Sequence, residues 1–136
     1  MLKRKLATVL ITATLALGGV VGGASAAFAG QPDGCDVYPG VPHLSGVNIT
    51  GSGSGSCLTA KTFAFVYEVH KSFGVTNPTV LRSQTASKTA TSWSTSATGC
   101  DTQPGYASQK FFGQAQFYGQ EYKTTGNSGN LSSCHT

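Results

Sequence analysis

The chain has 136 residues, of which nine are Lys or Arg and five are Asp or Glu, so its formal net charge is +4. Three of the nine basic residues occupy positions 3–5, which leaves six basic against five acidic residues and a net charge of +1 for the rest. So balanced a charge indicates neither nucleic acid nor an anionic membrane surface as a partner. The six remaining cations are scattered, as solvated surface charges usually are: Lys61, Lys71, Arg82, Lys88, Lys110 and Lys123.

The N-terminal segment has the organisation of an export signal. Basic residues at 3–5 precede an apolar stretch over 6–21, and small-x-small patterns follow it up to Ala29. We predict a signal peptide over residues 1–29, cleaved after Ala29, and a secreted protein that is extracellular or associated with the cell wall. A membrane anchor is the alternative, but a span needs about 20 uninterrupted apolar residues. Glycine interrupts this stretch earlier, so we expect no membrane span after cleavage.

Removing 29 of the 136 residues leaves a chain numbered 30–136, which fits a single secreted domain. Its first predicted strand is a weak one at 47–50. The alternating tract Gly51-Ser52-Gly53-Ser54-Gly55-Ser56 follows. Because the tract has the composition of a flexible linker, we interpret it as a mobile loop between two strands.

Strong period-two alternation begins after this tract, over residues 62–70. Large apolar side chains occupy its odd positions: Phe63, Phe65, Tyr67 and Val69. Glu68 and His70 alternate with them on the polar side. The pattern predicts a strand with one buried face.

Further strands are predicted in the second half of the chain. β-Branched and small polar residues indicate weaker strands at 80–85, 89–97 and 121–125. A stronger candidate covers 106–118, where the apolar residues on one face are Ala107, Phe111, Ala115 and Phe117. Helical periodicity is nearly absent, and Pro, Gly and Asn mark frequent turns. We therefore predict an all-β fold, an antiparallel β-sandwich or barrel.

The four cysteines all lie beyond the predicted leader: Cys35, Cys57, Cys100 and Cys134. An even number in a short exported chain indicates two disulfides, for which three pairings are possible. We favour Cys35 with Cys57 and Cys100 with Cys134, because a strand, a turn and a return strand would bring each pair together. A zinc site is the alternative, but the chain has no Cys-x-x-Cys pair.

The cysteine pattern also resembles a known group of proteins. The residues that carry it are Cys35, Cys57-Leu58-Thr59, Cys100-Asp101-Thr102-Gln103-Pro104-Gly105-Tyr106 and Cys134. They resemble small secreted four-cysteine proteins of Gram-positive bacteria with immunoglobulin-like sandwiches. The resemblance implies an immunoglobulin-like β-sandwich and a secreted location, and it implies no catalytic residue. Trp93 lies where a core tryptophan would, whereas Thr98 replaces the tyrosine that antibody-type domains carry before the later cysteine.

No arrangement of residues predicts catalysis or metal binding. Glycoside hydrolysis needs two carboxylates across a cleft, and no second acid accompanies Glu68, which we place facing outward on its strand. His70 and His135 could meet in space, but two histidines without a third ligand are weak evidence for a metal site. We therefore expect a protein that is not an enzyme, with no metal and no cofactor.

The candidate binding surface is aromatic. Phe112, Tyr118 and Tyr122, with Tyr106 at the start of the strand, fall on or near the face opposite the predicted core, among glutamines. Such a face suits a sugar polymer or a protein. The alternatives are a strand buried on both faces and a register shift at Gly113.

Two functions follow from these features. The first is a non-enzymatic binding or interaction domain for an extracellular protein or a cell-wall glycan. The second is a small secreted protease inhibitor or toxin-like effector. A loop braced by a disulfide beside an exposed side chain would favour an inhibitor, and the segment 38–47 is a candidate for that loop.

Overall fold

The computed structural model describes residues 31–103 and 109–136. The predicted signal peptide over 1–29 and the candidate residue Tyr106 lie outside these ranges. Within them all regular structure is β, in two antiparallel sheets. The eight strands are β1 Cys35–Pro39, β2 His43–Ser45, β3 Asn48–Phe63, β4 Phe65–Lys71, β5 Thr79–Gln84, β6 Lys88–Gly99, β7 Phe111–Phe117 and β8 Tyr122–Thr124. Among the described residues, no helix has the length and apolar character needed to cross a membrane.

The first sheet is built around β3, its longest strand. β6 pairs with one side of β3, from Ile49 opposite Gly99 to Phe63 opposite Lys88. β1 and β2 share the other side, each antiparallel to β3. The second sheet has the order β5-β4-β7-β8, and β4 and β7 pair without a register shift from Phe65 opposite Phe117 onwards.

The Gly-Ser tract is the centre of β3, and the prediction of a mobile loop is wrong. Its glycines are buried against the second sheet, whereas Ser52 and Ser56 are exposed on the outer face. A Cβ added at Gly53 would lie 2.8 Å from Tyr67 Cδ2, and one at Gly55 would lie 2.8 Å from Phe117 Cζ. Glycine is therefore required here because aromatic rings of the second sheet pack directly on the β3 backbone.

The predicted strand at 62–70 is two strands that belong to different sheets. β3 ends at Phe63 and β4 begins at Phe65, so the chain passes from the first sheet to the second at Ala64. A backbone bond from Tyr118 N to Ala64 O, 2.9 Å long, holds this crossing in place. The predicted core face is correct in spite of the break, because Phe65 and Tyr67 are fully buried and Phe63 packs against the core. The opposite side of β4 is covered as well, since Val66 is fully buried and Glu68 is 7% exposed, so the prediction of a single buried face is wrong.

Aromatic rings fill the core between the sheets. Phe117 lies with its ring centroid 5.1 Å from that of Trp93, 4.8 Å from Phe63 and 5.6 Å from Phe65. The Trp93 indole N–H donates to Phe63 O at 3.1 Å, so its polar atom is satisfied. Each fully buried ring contributes about 2 to 3 kcal/mol through the apolar area it removes from water. This shared core holds the two sheets face to face in a sandwich-like arrangement.

Both favoured disulfides are confirmed. Cys35 and Cys57 lie directly opposite each other on β1 and β3, and their Cα atoms are 4.0 Å apart. The second disulfide joins Cys100, after β6, to Cys134 near the C-terminus, with Cα atoms 4.8 Å apart. Two disulfides indicate an extracellular or otherwise oxidising environment.

Lys71 is not a solvated surface charge, contrary to the expectation from the sequence. It ends β4, and its side chain is directed inward with those of Phe65, Tyr67 and Val69. Its ammonium contacts the carboxylate of Asp101, and both side chains are completely buried. The strand pattern could not indicate this, because Asp101 lies 30 residues away.

Candidate functional site

The outer surface of the second sheet carries the candidate residues. Alternation along β7 buries its odd positions and leaves Phe112, Gln114 and Gln116 on the outer side. On β8, Tyr122 pairs opposite Gln116 and Thr124 opposite Gln114. We call these five residues the aromatic–amide face. Because β4 and β7 pair in unbroken register, the alternative of a shift at Gly113 is excluded.

A groove of about 450 Å³ opens on this face. Its walls come from β4, β7, β8 and the loops that flank them, and its lining residues are His70, Asn77, Phe112, Gln114, Tyr122, Thr124 and Thr125. The groove therefore combines two aromatic rings, an imidazole, two amides and three hydroxyls within one concave surface. Such a mixture can contact an apolar ring face and form hydrogen bonds with polar groups around it.

The imidazole of His70 fixes the aromatic wall of the groove. It stacks on the Phe112 ring with centroids 5.2 Å apart and planes 8° from parallel. Its Nδ1 lies 2.9 Å from Asn77 O, and since a carbonyl only accepts, Nδ1 is the donor. The other ring nitrogen, Nε2, is buried and has no hydrogen-bond partner within the described part of the chain.

Glu68 lies beside His70 on the same outer side of β4, but it does not face water. Only 7% of it is exposed, because the side chains of neighbouring strands cover it. Arg82 Nη1 lies 3.3 Å from its Oε1, and Gln114 Nε2 donates to its Oε2 at 3.1 Å. His70 Nε2 is 3.8 Å from Oε2. The carboxylate thus orients the Gln114 amide. Glu68 does lie on the outer side of its strand, as predicted, but neighbouring side chains cover it.

The structure brings only part of the predicted aromatic surface together. Phe112 is half-buried in the groove wall and Tyr122 is 58% exposed at its edge. Tyr118 is 61% exposed in the turn after β7 and does not line the groove. The alternation of residues 62–70 already placed Glu68 and His70 on the polar side. What the sequence could not supply was the register of β4 against β7, which sets His70 opposite Phe112.

The sequence analysis did not predict a second surface, which lies on the first sheet. On the outer side of the first sheet, serines face each other across β3 and β6, with Ser52 opposite Ser96 and Ser54 opposite Ser94. Tyr38, 53% exposed, adjoins these serines along a shallow depression of about 640 Å³. We call this the hydroxyl face. It offers many hydroxyls but only one ring, and it arises from the tract that the sequence suggested to be a loop.

An exposed leucine next to the first disulfide is a third candidate contact. Leu58 follows Cys57 and is 82% exposed. The pairing of β3 with β6 shifts between Ser56 and Lys61, so the residues between them bulge out of the regular ladder. Leu58 N donates to Gly34 O at 2.8 Å, which together with the disulfide fixes the start of the bulge. The segment 38–47, which the sequence analysis named as a candidate inhibitory loop, has an exposed apolar side chain of its own, since Val41 is 50% exposed.

No protein-family model, no curated protein and no solved structure matches this chain. Among the described residues, no group of three His, Cys, Asp or Glu side chains is arranged to hold a metal ion. His70 and His135 have separate partners: His70 faces Glu68 and Asn77, and His135 lies beside Asp101. Any assignment of function therefore rests on the geometry of the surfaces.

Proposed function

We propose that this chain is a secreted, non-enzymatic binding domain with an immunoglobulin-like sandwich, and that it holds a glycan in the groove of the aromatic–amide face. Export follows from the predicted leader over residues 1–29, and the two disulfides suit the oxidising environment outside the cell. The single observation that carries the proposal is that two aromatic side chains, Phe112 and Tyr122, line the same groove as the amide of Gln114.

The chemistry of a sugar ring matches this set of groups. A pyranose has an apolar C–H face, which packs on an aromatic ring, and a rim of hydroxyls, which bond to amides and carbonyls. The Phe112 ring is already held by stacking on His70, so little freedom is lost when a ligand packs against it. The Gln114 amide is likewise oriented by Glu68 before any ligand arrives.

The engagement of the Glu68 carboxylate by neighbouring side chains supports binding rather than hydrolysis. Glycoside hydrolysis uses a pair of carboxyl groups facing each other across the substrate. Glu68 lies beneath the groove, engaged by Arg82 and Gln114. Two of the other acids form ion pairs elsewhere, Asp36 with Lys123 and Asp101 with Lys71.

Two exposed tyrosines allow a matched test. The oxidised domain, residues 30–136, is incubated with insoluble cell-wall polysaccharide and with soluble glycan fragments, and the bound fraction is measured. We expect Tyr122→Ala to weaken binding about tenfold, which is about 1.4 kcal/mol. Tyr118→Ala is the control, because Tyr118 is equally exposed but outside the groove. Equal losses for both variants, or no retention on any glycan, would contradict the proposal.

A second candidate, a protease inhibitor, is favoured by Leu58. An exposed apolar side chain on a segment braced by a disulfide can enter the specificity pocket of a protease without the cost of ordering a loop. The test is titration against a chymotrypsin-like and a trypsin-like protease. The inhibitor function predicts stoichiometric inhibition of the first, lost in Leu58→Ala and transferred to the second by Leu58→Lys. Absence of inhibition at micromolar protein would remove this candidate.

A further inference from the structure

Among the ion pairs of the described residues, the one between Lys71 and Asp101 is the only one whose two side chains are both completely buried. Both side chains are completely buried, and Lys71 Nζ touches Asp101 Oδ2. Nζ lies 5.5 Å from the ring centroid of Phe73 and 5.9 Å from that of Phe111, so aromatic rings shield the ammonium. Burial of two charges in such surroundings carries a desolvation cost that can exceed the gain from their mutual attraction.

Each carboxylate oxygen of Asp101 also lies near a further polar group. Oδ1 accepts the backbone N–H of Gln103 at 2.9 Å. Oδ2 faces Lys71 and also lies 3.7 Å from Nδ1 of His135, whose side chain is 35% exposed. One oxygen is therefore held by a fixed donor, and the other adjoins both an amine and an imidazole that reaches solvent.

This arrangement contains the parts needed to join an amine to a carboxylic acid. We propose that Lys71 and Asp101 form an intramolecular isopeptide bond, Nζ to Cγ, with loss of one water. A proton passes from the ammonium to the carboxylate, which removes both charges from the apolar site. The neutral Nζ then attacks Cγ, and the developing negative charge on Oδ1 is stabilised by the Gln103 N–H. Collapse of this intermediate expels Oδ2 as water, while His135 carries the amine proton to it.

The reaction balances without any other reagent. One N–C bond forms, one C–O bond breaks, and an ammonium and a carboxylate become an uncharged amide and a water molecule. Fixing the reacting groups in the fold supplies an effective concentration on the order of 10⁵ M or more. The product also relieves the buried charges, so the amide is favoured in this site although it is not favoured between free ions in water.

Such a bond would connect the two sheets. Lys71 ends β4 in the second sheet, and Asp101 follows β6 of the first. Neither disulfide joins these strands, because Cys35–Cys57 lies within the first sheet and Cys100–Cys134 ties β6 to the C-terminal segment. Unlike either disulfide, the isopeptide bond would therefore join β4 of the second sheet to the segment that follows β6 of the first.

Mass spectrometry of the folded, oxidised protein tests the proposal directly. We expect an intact mass lower, by one water molecule, than the mass calculated for the chain with two disulfides, and we expect the deficit to survive reduction. Trypsin should then yield a branched peptide in which residues 62–82 are joined to 89–110, because a modified Lys71 is not cleaved. The full calculated mass, in protein whose two disulfides are formed, would overturn the proposal.

A double variant provides the control. Lys71→Met with Asp101→Leu removes both charges together, which avoids leaving one of them buried alone. We expect this variant to fold, by its circular dichroism and its two disulfides, and to have its full calculated mass. A water deficit that persisted in the variant would show that the loss occurs elsewhere and would also overturn the proposal.

Discussion

The side chain of Tyr67, on β4 of the second sheet, contacts the backbone of the first sheet directly. Its ring is completely buried beneath the glycines of β3, and its hydroxyl donates to Gly40 O at 2.7 Å. A Cβ added at Gly113 would lie 3.1 Å from Tyr67 Cε2, so backbone surrounds this ring on both strands. Small residues on one sheet and large rings on the other are complementary here, and the fit leaves no room for an added methyl group.

Gly55→Ala tests this complementarity. The new Cβ would lie 2.8 Å from Phe117 Cζ and 2.9 Å from Phe65 Cε1, two rings that are completely buried. We expect a loss of about 1 to 3 kcal/mol in the free energy of unfolding, as overpacking of a core usually gives. Urea unfolding followed by tryptophan fluorescence measures it. Gly126→Ala, where the added atom meets open space, is the control and should be neutral or slightly stabilising.

Tyr67 also makes stability depend on alkaline pH. Burial raises the pKa of Tyr67 from 10.0 to about 12, because the phenolate is poorly solvated in the core. Above pH 10 the unfolded chain loses this proton and the folded chain keeps it, so stability falls as pH rises towards 12. We expect a loss on the order of 1 to 2 kcal/mol. Tyr67→Phe should remove this component of the pH dependence, and an unchanged alkaline slope in that variant would contradict the assignment.

At the level of whole strands, β3 shows where composition misleads. Alternating glycine and serine is typical of a flexible linker, yet it is also a period-two pattern with one very small face and one polar face. Which of the two applies depends on whether large residues elsewhere can fill the space above the glycines. Here Tyr67 and Phe117 do so, and they come from strands that the local sequence of the tract cannot reveal.

Hydrogen exchange should distinguish a central strand from a mobile loop. Gly53 and Gly55 pair with β1 on one side and with β6 on the other, so their amides lie inside the sheet. We expect them to exchange on the order of a hundredfold or more slowly than the amides of Gly74 and Val75, in the β4–β5 loop. Exchange at comparable rates in the two segments would show that the tract is not stably paired.

The other strands could be predicted where their own residues alternate between apolar and polar or are rich in β-branched side chains. The apolar alternation around Tyr67 identified the core face correctly, and weak strands at 80–85, 89–97 and 121–125 correspond to β5, β6 and β8. The short strands β1 and β2 were not predicted, since three to five residues with Pro and Gly nearby give no periodicity. For the groove, local alternation identified Phe112 as outward-facing, but its stacking on His70 depends on long-range pairing.

At the level of the whole molecule, two disulfides stabilise this small domain, and each joins a different pair of segments. The pairs close segments with sequence separations of 22 and 34 residues. We expect Cys35→Ser/Cys57→Ser and Cys100→Ser/Cys134→Ser each to lower the free energy of unfolding by about 3 to 4 kcal/mol, chiefly by releasing the unfolded chain. Urea unfolding of the oxidised proteins gives the values. A loss below about 1 kcal/mol for either pair would show that its link constrains the unfolded chain little.

The two sheets turn their outer surfaces in opposite directions, and these surfaces differ in chemistry. Rings and amides cover one side, and rows of serine hydroxyls cover the other. A fluorophore attached through a cysteine placed at Ser94 would therefore leave the groove unobstructed, because the full thickness of the sandwich separates the two positions. The same position would serve for immobilising the domain on a sensor with its aromatic side presented to the sample.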